Sequence, residues 1–481
     1  MKKGDILELD IIKYAAEGKG IAKINRNIVK PDHKQDSEGD NYVVFVQGSY
    51  PGDKVKARLR KIKKSYAEAS VVEIISSSKN RIEPRCKHFG TCGGCKQQDL
   101  DYNTQVNFKQ ILVKETFEHI GGLTDFEIEE IIPSEKSFYY RNKMEFSFAD
   151  KRWLTKKEIC KIDIIDKDFS LGLHIPRIFD KVLDIEECFL QSEISNKILN
   201  FSRQFFKERK TPIYSTKTHT GYLRNLVIRQ SRHTEDLMVN LVTSKEDDEL
   251  MTEYSAKILE SVPQITTIIN NINLRKASVA IGDYEKVYHG TGFIYDKIGS
   301  YTFRISSNSF FQTNTLQAEK LYQTALDFAE LSGNEILYDL YSGAGAIAIY
   351  ISDKAKKVYA VESSETAIND AKENVKINNV ENVEFICADL FKSFLPIAEK
   401  KKIPKPDVII IDPPRSGMHK NTVKDVIKLN PKKIVYISCN PATQARDIKM
   451  MVEAGYKLEK IRPVDMFPHT NHIENVALLN K

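Results

Sequence analysis

The chain has 481 residues, 41% of them hydrophobic, and a formal net charge of +6. That is material for several cores, and the length predicts roughly two to four domains. No apolar run approaches the ~20 residues needed to cross a bilayer, and Met1-Lys2-Lys3-Gly4-Asp5 lacks the apolar stretch of a signal peptide, so the expected location is the cytoplasm, with no membrane partner. The cysteines number seven, an odd count that speaks against a secreted disulfide framework.

Residues 1–78 read as a small β-barrel. Ile6–Ile12, Tyr42–Val46, Asp53–Leu59 and Ala67–Ile75 are β-rich, punctuated by Gly18, Gly20, Gly48 and Pro51-Gly52. One strand places Lys54, Lys56, Arg58 and Arg60 on one face and Val55, Ala57 and Leu59 on the other, and Lys61, Lys63 and Lys64 extend the charge. A cationic face of this kind fits a polyanion, and RNA is the expected partner. Pro31–Asp40 reads as a polar loop.

Three cysteines then crowd between Cys86 and Cys95, a density that points to metal chemistry. Asp99–His119 reads as a helix ended by Gly121-Gly122; a helix over 99–120 is expected to pack on the catalytic domain. Residues 79–290 form a central α+β domain. Its strand-like pieces include Lys143–Phe148 and Leu226–Gln230, and its helical ones Ser192–Lys207 and Lys245–Ser261.

From residue 291 to 481 the character changes. A helix around Asn314–Leu331 leads into buried strands Ile336–Leu340, Lys357–Val361, Val383–Cys387, Asp407–Ile411 and Lys433–Ile437, each followed by a helical pattern. This is the mark of a parallel, Rossmann-like α/β sheet covered on both faces. Tyr456–Pro463 and His472–Leu479 add two strands.

The first of these strands runs into Asp339-Leu340-Tyr341-Ser342-Gly343-Ala344-Gly345, a turn that lets backbone approach a ligand at the carboxyl end of a strand. The second ends in Glu362, placed to accept both ribose hydroxyl protons, and the third in Asp389, placed to reach an adenine amino group. The third glycine of the dinucleotide fingerprint is missing. The set fits S-adenosylmethionine better than a nicotinamide cofactor.

The fourth strand ends in Ile411-Asp412-Pro413-Pro414-Arg415 and the fifth in Ser438-Cys439-Asn440-Pro441, opening on the same sheet edge. An aromatic residue after Asp-Pro-Pro would suggest amino-group methylation; Arg415 stands there instead. A thiolate adding to carbon 6 of uracil makes carbon 5 nucleophilic, and a base must afterwards remove the carbon 5 proton. Cys439 meets the first need. Glu474 is the candidate base, with His469 and His472 as alternatives.

With these motifs in hand, the chain resembles the RNA uracil-5-methyltransferases, especially the bacterial 23S ribosomal-RNA enzymes with an N-terminal TRAM domain. The resemblance spans nearly the whole chain and is most specific at Ser309-Phe310-Phe311-Gln312-Thr313-Asn314, Ile411–Arg415, Ser438–Pro441 and His472-Ile473-Glu474. It implies Cys439 as nucleophile and Glu474 as proton-removing base. It implies cofactor contacts at Gln312, Tyr341, Gly343, Glu362, Asp389 and Asp412, with Asp412 also near the target base. The family often has Asn just after the glycine turn, where this chain has Ala346. Cys86, Cys92, Cys95 and the distant Cys188 resemble the family's ligand set for a [4Fe–4S] cluster; four thiolates also suit tetrahedral zinc. Cys160 and Cys387 are left over and read as structural.

The expected function is S-adenosylmethionine-dependent methylation of a uridine in ribosomal RNA by a monomer. Transfer RNA is the alternative substrate. Cytosine-5 methylation ranks well below, and so does an inactive RNA-binding iron–sulfur protein, which would be expected to have lost Cys439 or Glu474.

Overall fold

The computed structural model describes residues 1–25, 41–159, 167–176, 178–277 and 279–481. The loop expected at Pro31–Asp40 and the leftover Cys160 lie outside the described residues. The chain divides into two compact units. The first comprises Met1–Lys87, Lys96–Glu115 and His469–Asn471; the second comprises the remaining described residues, apart from those three segments.

The first unit holds β1 (Ile6–Asp10), β2 (Lys13–Ala15), β3 (Lys19–Asn25), β4 (Asn41–Gln47), β5 (Lys54–Ile62) and β6 (Tyr66–Ser76) in one sheet of order β1-β5-β6-β4-β3-β2. Alternation drives it: Val55, Ala57 and Leu59 of β5 are at most 1% exposed, while Lys54, Arg58 and Arg60 face solvent. The cationic face is less bare than its own strand suggests. Register sets Glu8 and Asp10 of β1 opposite Lys56 and Lys54, and Lys56 also pairs with Glu73 of β6 at 2.9 Å. Arg58 and Arg60 lie beside Ser70, and neither has a carboxylate partner among the described residues. Asp53, fully buried, ties this unit together: it accepts from Tyr50 N (2.7 Å), Ser78 N (2.8 Å) and Arg81 Nε (2.9 Å) and Nη2 (2.8 Å). Arg81 also pairs with Asp99, which takes the Tyr50 hydroxyl at 2.6 Å. Helix α1 (Tyr102–Thr116) covers the expected helical segment, continues as a π turn over Phe117–Gly121, and stops where Gly122 turns left-handed at φ 65°.

The second unit is built on two sheets and a hairpin. Very short β7 (Glu127–Ile128) precedes β8 (Lys143–Ala149), helix α2 (Lys156–Ile159), β9 (Ser170–Ile175), β10 (Ile178–Asp184) and helix α3 (Glu193–Glu208). Then come β11 (Leu223–Gln230), β12 (Leu237–Thr243), helix α4 (Asp248–Ser261), β13 (Thr267–Ile272) and β14 (Tyr284–His289). The seven-stranded sheet runs β10-β9-β8-β11-β12-β13-β14, with only β12 and β13 parallel. Phe205 and Phe206 of α3 and Tyr254 of α4 pack in its core.

Hairpin β15 (Phe293–Ile298) and β16 (Tyr301–Ser306) leads to helix α5 (Thr315–Ala329), whose N-terminus is capped by Asn314. The eight-stranded sheet follows, with strands β17 (Ile336–Leu340), β18 (Lys357–Glu362), β19 (Val383–Cys387), β20 (Val408–Ile411), β21 (Lys433–Ser438), β22 (Lys457–Val464) and β23 (Glu474–Asn480). Helices α6 (Ala346–Tyr350), α7 (Glu365–Ile377), α8 (Leu395–Lys400), α9 (Lys420–Leu429) and α10 (Pro441–Glu453) connect them. The order is β19-β18-β17-β20-β21-β23-β22-β7. Strands β17 to β21 are parallel, β23 runs against β21 and β22, and β7 completes the edge. β7 was not expected: two residues carry no periodicity to read.

Removing the Asp53 carboxylate leaves the Tyr50 and Ser78 backbone donors without their acceptor and Arg81 with Asp99 as its remaining carboxylate. Asp53→Ala is expected to destabilise the β1–β6 sheet by about 1–3 kcal/mol, checked by denaturant-dependent hydrogen exchange of its amides.

Candidate active site

Parallel strands end on one edge of their sheet, so whatever follows β17, β18, β19, β20 and β21 converges. A cavity of about 1070 Å³ lies there, and Gln312, Tyr341, Gly343, Glu362, Asp389, Asp412, Cys439 and Glu474 all line it. Every residue expected at the nucleophile, base and cofactor positions is therefore in one place.

The turn after β17 is preset. Tyr341 and Ser342 donate to Val361 O at 3.0 and 3.1 Å, and Tyr341 takes φ 66°, a conformation that costs a side-chain-bearing residue about 1–3 kcal/mol. Gly343 has no atom within 4 Å of where a Cβ would stand, so its backbone is bare toward the cavity. Gly345, two residues on, is needed for packing instead: a Cβ there would come within 3.0 Å of Phe385 and 3.2 Å of Ala371. Glu362 is pinned by backbone donors, accepting from Gly343 N at 3.0 Å and from Ser363 and Ser364 N at 2.8 Å each. Asp389 accepts from Phe391 N at 3.0 Å. An open glycine turn and two fixed carboxylates on successive strand ends suit a nucleoside with an attached cation, as S-adenosylmethionine is.

The far side of the cavity is a desolvated acidic floor. Burial raises the Asp412 carboxyl to about 7, and burial followed by the charge of Asp412 holds Glu474 well above the usual carboxylate range. Asp339, which sequence reasoning did not single out, does not line the cavity but is fully buried in β17; it accepts from Ala348 N at 3.1 Å, and burial plus Asp412 push it up as well. Burial raises the Cys439 thiol to about 11, Glu474 and Asp412 push the same way, and Arg415 opposes them. Tyr322 of α5, 4% exposed, senses all three carboxyls and the Gln312 side chain. An aspartate inside the apolar run Ile336–Leu340 was the available signal for Asp339.

The two histidines separate. His472 lines the cavity. His469 does not; it belongs to the first unit, where its Nδ1 lies 3.2 Å from Gln105 Nε2 and its N donates to Gln105 Oε1 at 3.0 Å. Cys387 is exposed at the end of β19, which corrects its reading as a structural residue. Cys92, Cys95 and Cys188 pack against the core of the seven-stranded sheet, and Cys86 belongs to the first unit. Among the described residues there is no group of three or more His, Cys, Asp or Glu side chains that could hold a metal ion. Among them, too, no helix is long and apolar enough to cross a membrane.

A parallel sheet with this edge defines the class of S-adenosylmethionine-dependent methyltransferases, and the comparisons narrow it. Residues 231–481 match the family described as tRNA (uracil-5-)-methyltransferase, and residues 2–72 match the TRAM domain. An uncharacterized RNA methyltransferase of Chlorobaculum tepidum is 40% identical over 100% of this chain and 97% of its own length. One from Bacteroides thetaiotaomicron is 42% identical over 97% of this chain and 99% of its own. The crystal structure of Pyrococcus abyssi tRNA (uracil-54, C5)-methyltransferase in complex with S-adenosyl-L-homocysteine is 30% identical, with a TM-score of 0.73 over 98% of this chain and 99% of that one. The chain belongs to the RNA uracil-5-methyltransferase family, in a form with an N-terminal TRAM domain.

The acidic floor has a measurable consequence. A carboxyl whose folded-state pKa is raised stabilises the fold most at low pH, and that contribution is lost as pH rises toward the folded value. Asp412→Asn removes the penalty. It should melt a few degrees above the parent at pH 8 and show a much smaller gain at pH 4; equal gains at both would refute the raised pKa.

Proposed function

We propose that this chain methylates carbon 5 of a specific uridine in RNA, with 23S ribosomal RNA as the target. The observation that carries the reading is the shared cavity of Cys439 and Glu474, opposite the pinned Glu362 and Asp389. S-adenosylmethionine supplies the methyl group. Glu362 takes the ribose hydroxyls, Asp389 the adenine amino group, and Gln312, Tyr341 and Gly343 complete the cofactor wall. Asp412 lies between that wall and the target base.

The Cys439 thiolate bonds to carbon 6, and the displaced electron pair makes carbon 5 nucleophilic; carbon 5 would take the methyl group as the sulfonium–methyl bond breaks, leaving S-adenosylhomocysteine. Glu474 then removes the carbon 5 proton, the carbon 5–carbon 6 double bond re-forms, and the carbon–sulfur bond breaks to return the thiolate. Burial raises the proton affinity of both groups, so forming the thiolate and the carboxylate costs free energy before each step. The presence of both in one cavity speaks against an inactive binding protein.

Ribosomal RNA is supported by the TRAM domain standing together with the four cysteines. Transfer RNA is the second reading, favoured by the similarity to an enzyme whose substrate is tRNA uracil-54. Mapping 5-methyluridine in RNA from cells with and without the gene separates them. The proposed division of labour is an RNA-binding barrel over 1–78, a cluster-binding central domain over 79–290 and a methyltransferase domain over 291–481.

Glu474→Gln should trap a methylated protein–RNA adduct that survives denaturing electrophoresis, because addition and transfer need no base at carbon 5. The double variant with Cys439→Ala should show none. Near-normal turnover by Glu474→Gln would move the base to His472, the histidine that lines the cavity.

The metal proposal rests on the spacing of Cys86, Cys92, Cys95 and Cys188 and on the family resemblance. Protein prepared without oxygen should be brown and contain iron and sulfide in near-equal amounts, lost together in a Cys188→Ala variant. Stoichiometric zinc without sulfide would replace the [4Fe–4S] cluster by the tetrahedral alternative, and no metal of either kind would end the proposal.

A further inference from the structure

Gln312 does not sit on a strand or a helix. It lies between β16 and α5, in a stretch that supplies Asn308, Ser309, Phe310, Gln312 and Thr313 to the cavity wall. An irregular segment holds a fixed geometry only if other elements hold it.

The seven-stranded sheet does so, and the bonds nearest Gln312 come from one residue at the edge of β8. Asn142, 8% exposed and immediately before β8, gives both amide hydrogens to this segment: Nδ2 donates to Gln312 O at 2.8 Å and to Thr315 Oγ1 at 2.9 Å. Its backbone N donates to Thr313 O at 2.8 Å, and its O accepts from Gln230 N of β11 at 2.8 Å. The Thr315 hydroxyl has a single proton, and that proton goes to the fully buried Asp296 at 2.9 Å. Asp296 is itself held by Ser231 Oγ (2.9 Å), Arg232 N (3.1 Å) and His233 N (3.0 Å). Thr315 must therefore accept from residue 142, and Gln312 O can only accept. A side chain with two donors and the length of asparagine is required.

A second tether from the same sheet makes the arrangement a pattern. Arg229 of β11, 4% exposed, donates Nη2 to Ser307 O at 3.1 Å and to Ser309 O at 2.6 Å. An arginine is buried here to fix a turn, on a site directly opposite Lys143 in the register.

We propose that Asn142 is a positioning residue for the methyl-transfer site: it sets the Gln312–Thr315 segment, and through it the affinity for the cofactor. The proposal rests on the reading of Gln312 as a cofactor contact.

The test uses full-length protein and S-adenosylhomocysteine as the probe. Asn142→Asp keeps shape but faces two acceptors with a third. It should raise the Kd for S-adenosylhomocysteine and the KM for S-adenosylmethionine about tenfold, leaving RNA affinity and far-ultraviolet circular dichroism unchanged. In a Gln312→Ala background the same change should add less than twofold. Asn142→Ala, which removes the donors without adding an acceptor, should behave alike and serves if the aspartate variant does not fold. Parental affinity in a folded Asn142 variant overturns the proposal, as does a full tenfold effect in the Gln312→Ala background. Gln312→Ala with unchanged affinity overturns the Gln312 reading itself, and the positioning role with it.

Discussion

Two carboxyl groups and a thiol line one desolvated floor, a third carboxyl lies buried in β17, and much of the site follows from that. Burial raises the proton affinity of each, and the charge of Asp412 adds to that of Asp339, Glu474 and Cys439, because like charges close together are costly away from water. Asp339, Asp412 and Glu474 accordingly stand above the usual carboxylate range, and Cys439 at about 11. Burial disfavours the charged form of each of these groups, which lowers the cost of placing several acids in a unit whose apolar core includes Leu337, Ile347 and Ile410. Tyr322 lies beneath the floor and reports all three carboxyls.

The opposite wall is built differently. Glu362 is fed by three backbone N–H groups, which fix its direction. Two kinds of acid thus line one cavity: Glu362, held by backbone donors, and Asp412 and Glu474, set by burial. The backbone itself makes the distinction, through the tight turn after β17 and its bonds to Val361.

How much of this could be read beforehand depended on range. Strands β17 to β21 carry runs such as Val408–Ile411, apolar because both faces are covered, and their ends are local signals. Gly343, Glu362, Asp389, Asp412 and Cys439 were legible for the same reason: each follows a strand whose direction is known. Non-local partners were not. Asn142 and Gln312 are 170 residues apart in sequence, and neither segment hints at the other. The acids opposite Lys54 and Lys56 were hidden because register across strands is not encoded in one strand's alternation. His469 looked like an active-site residue by proximity to Glu474, yet its backbone and ring are tied to Gln105 of α1.

The edge strand β7 has a consequence for how the chain reaches its fold. It pairs with β22, and Arg462 Nε donates to Glu130 O across 332 residues of sequence. Synthesis delivers Glu127–Ile128 long before Lys460 and Ile461 exist, so that edge must wait for nearly the whole polypeptide. Contacts of such separation close slowly, since the entropy of a very long loop is lost before any pairing energy is gained. A catalytic fragment beginning after the seven-stranded sheet would keep every residue of the acidic floor but leave β22 with an open, hydrogen-bond-hungry border, a template for self-association. The two ends of this enzyme's second unit are therefore bound to one folding event, however separable its sheets look.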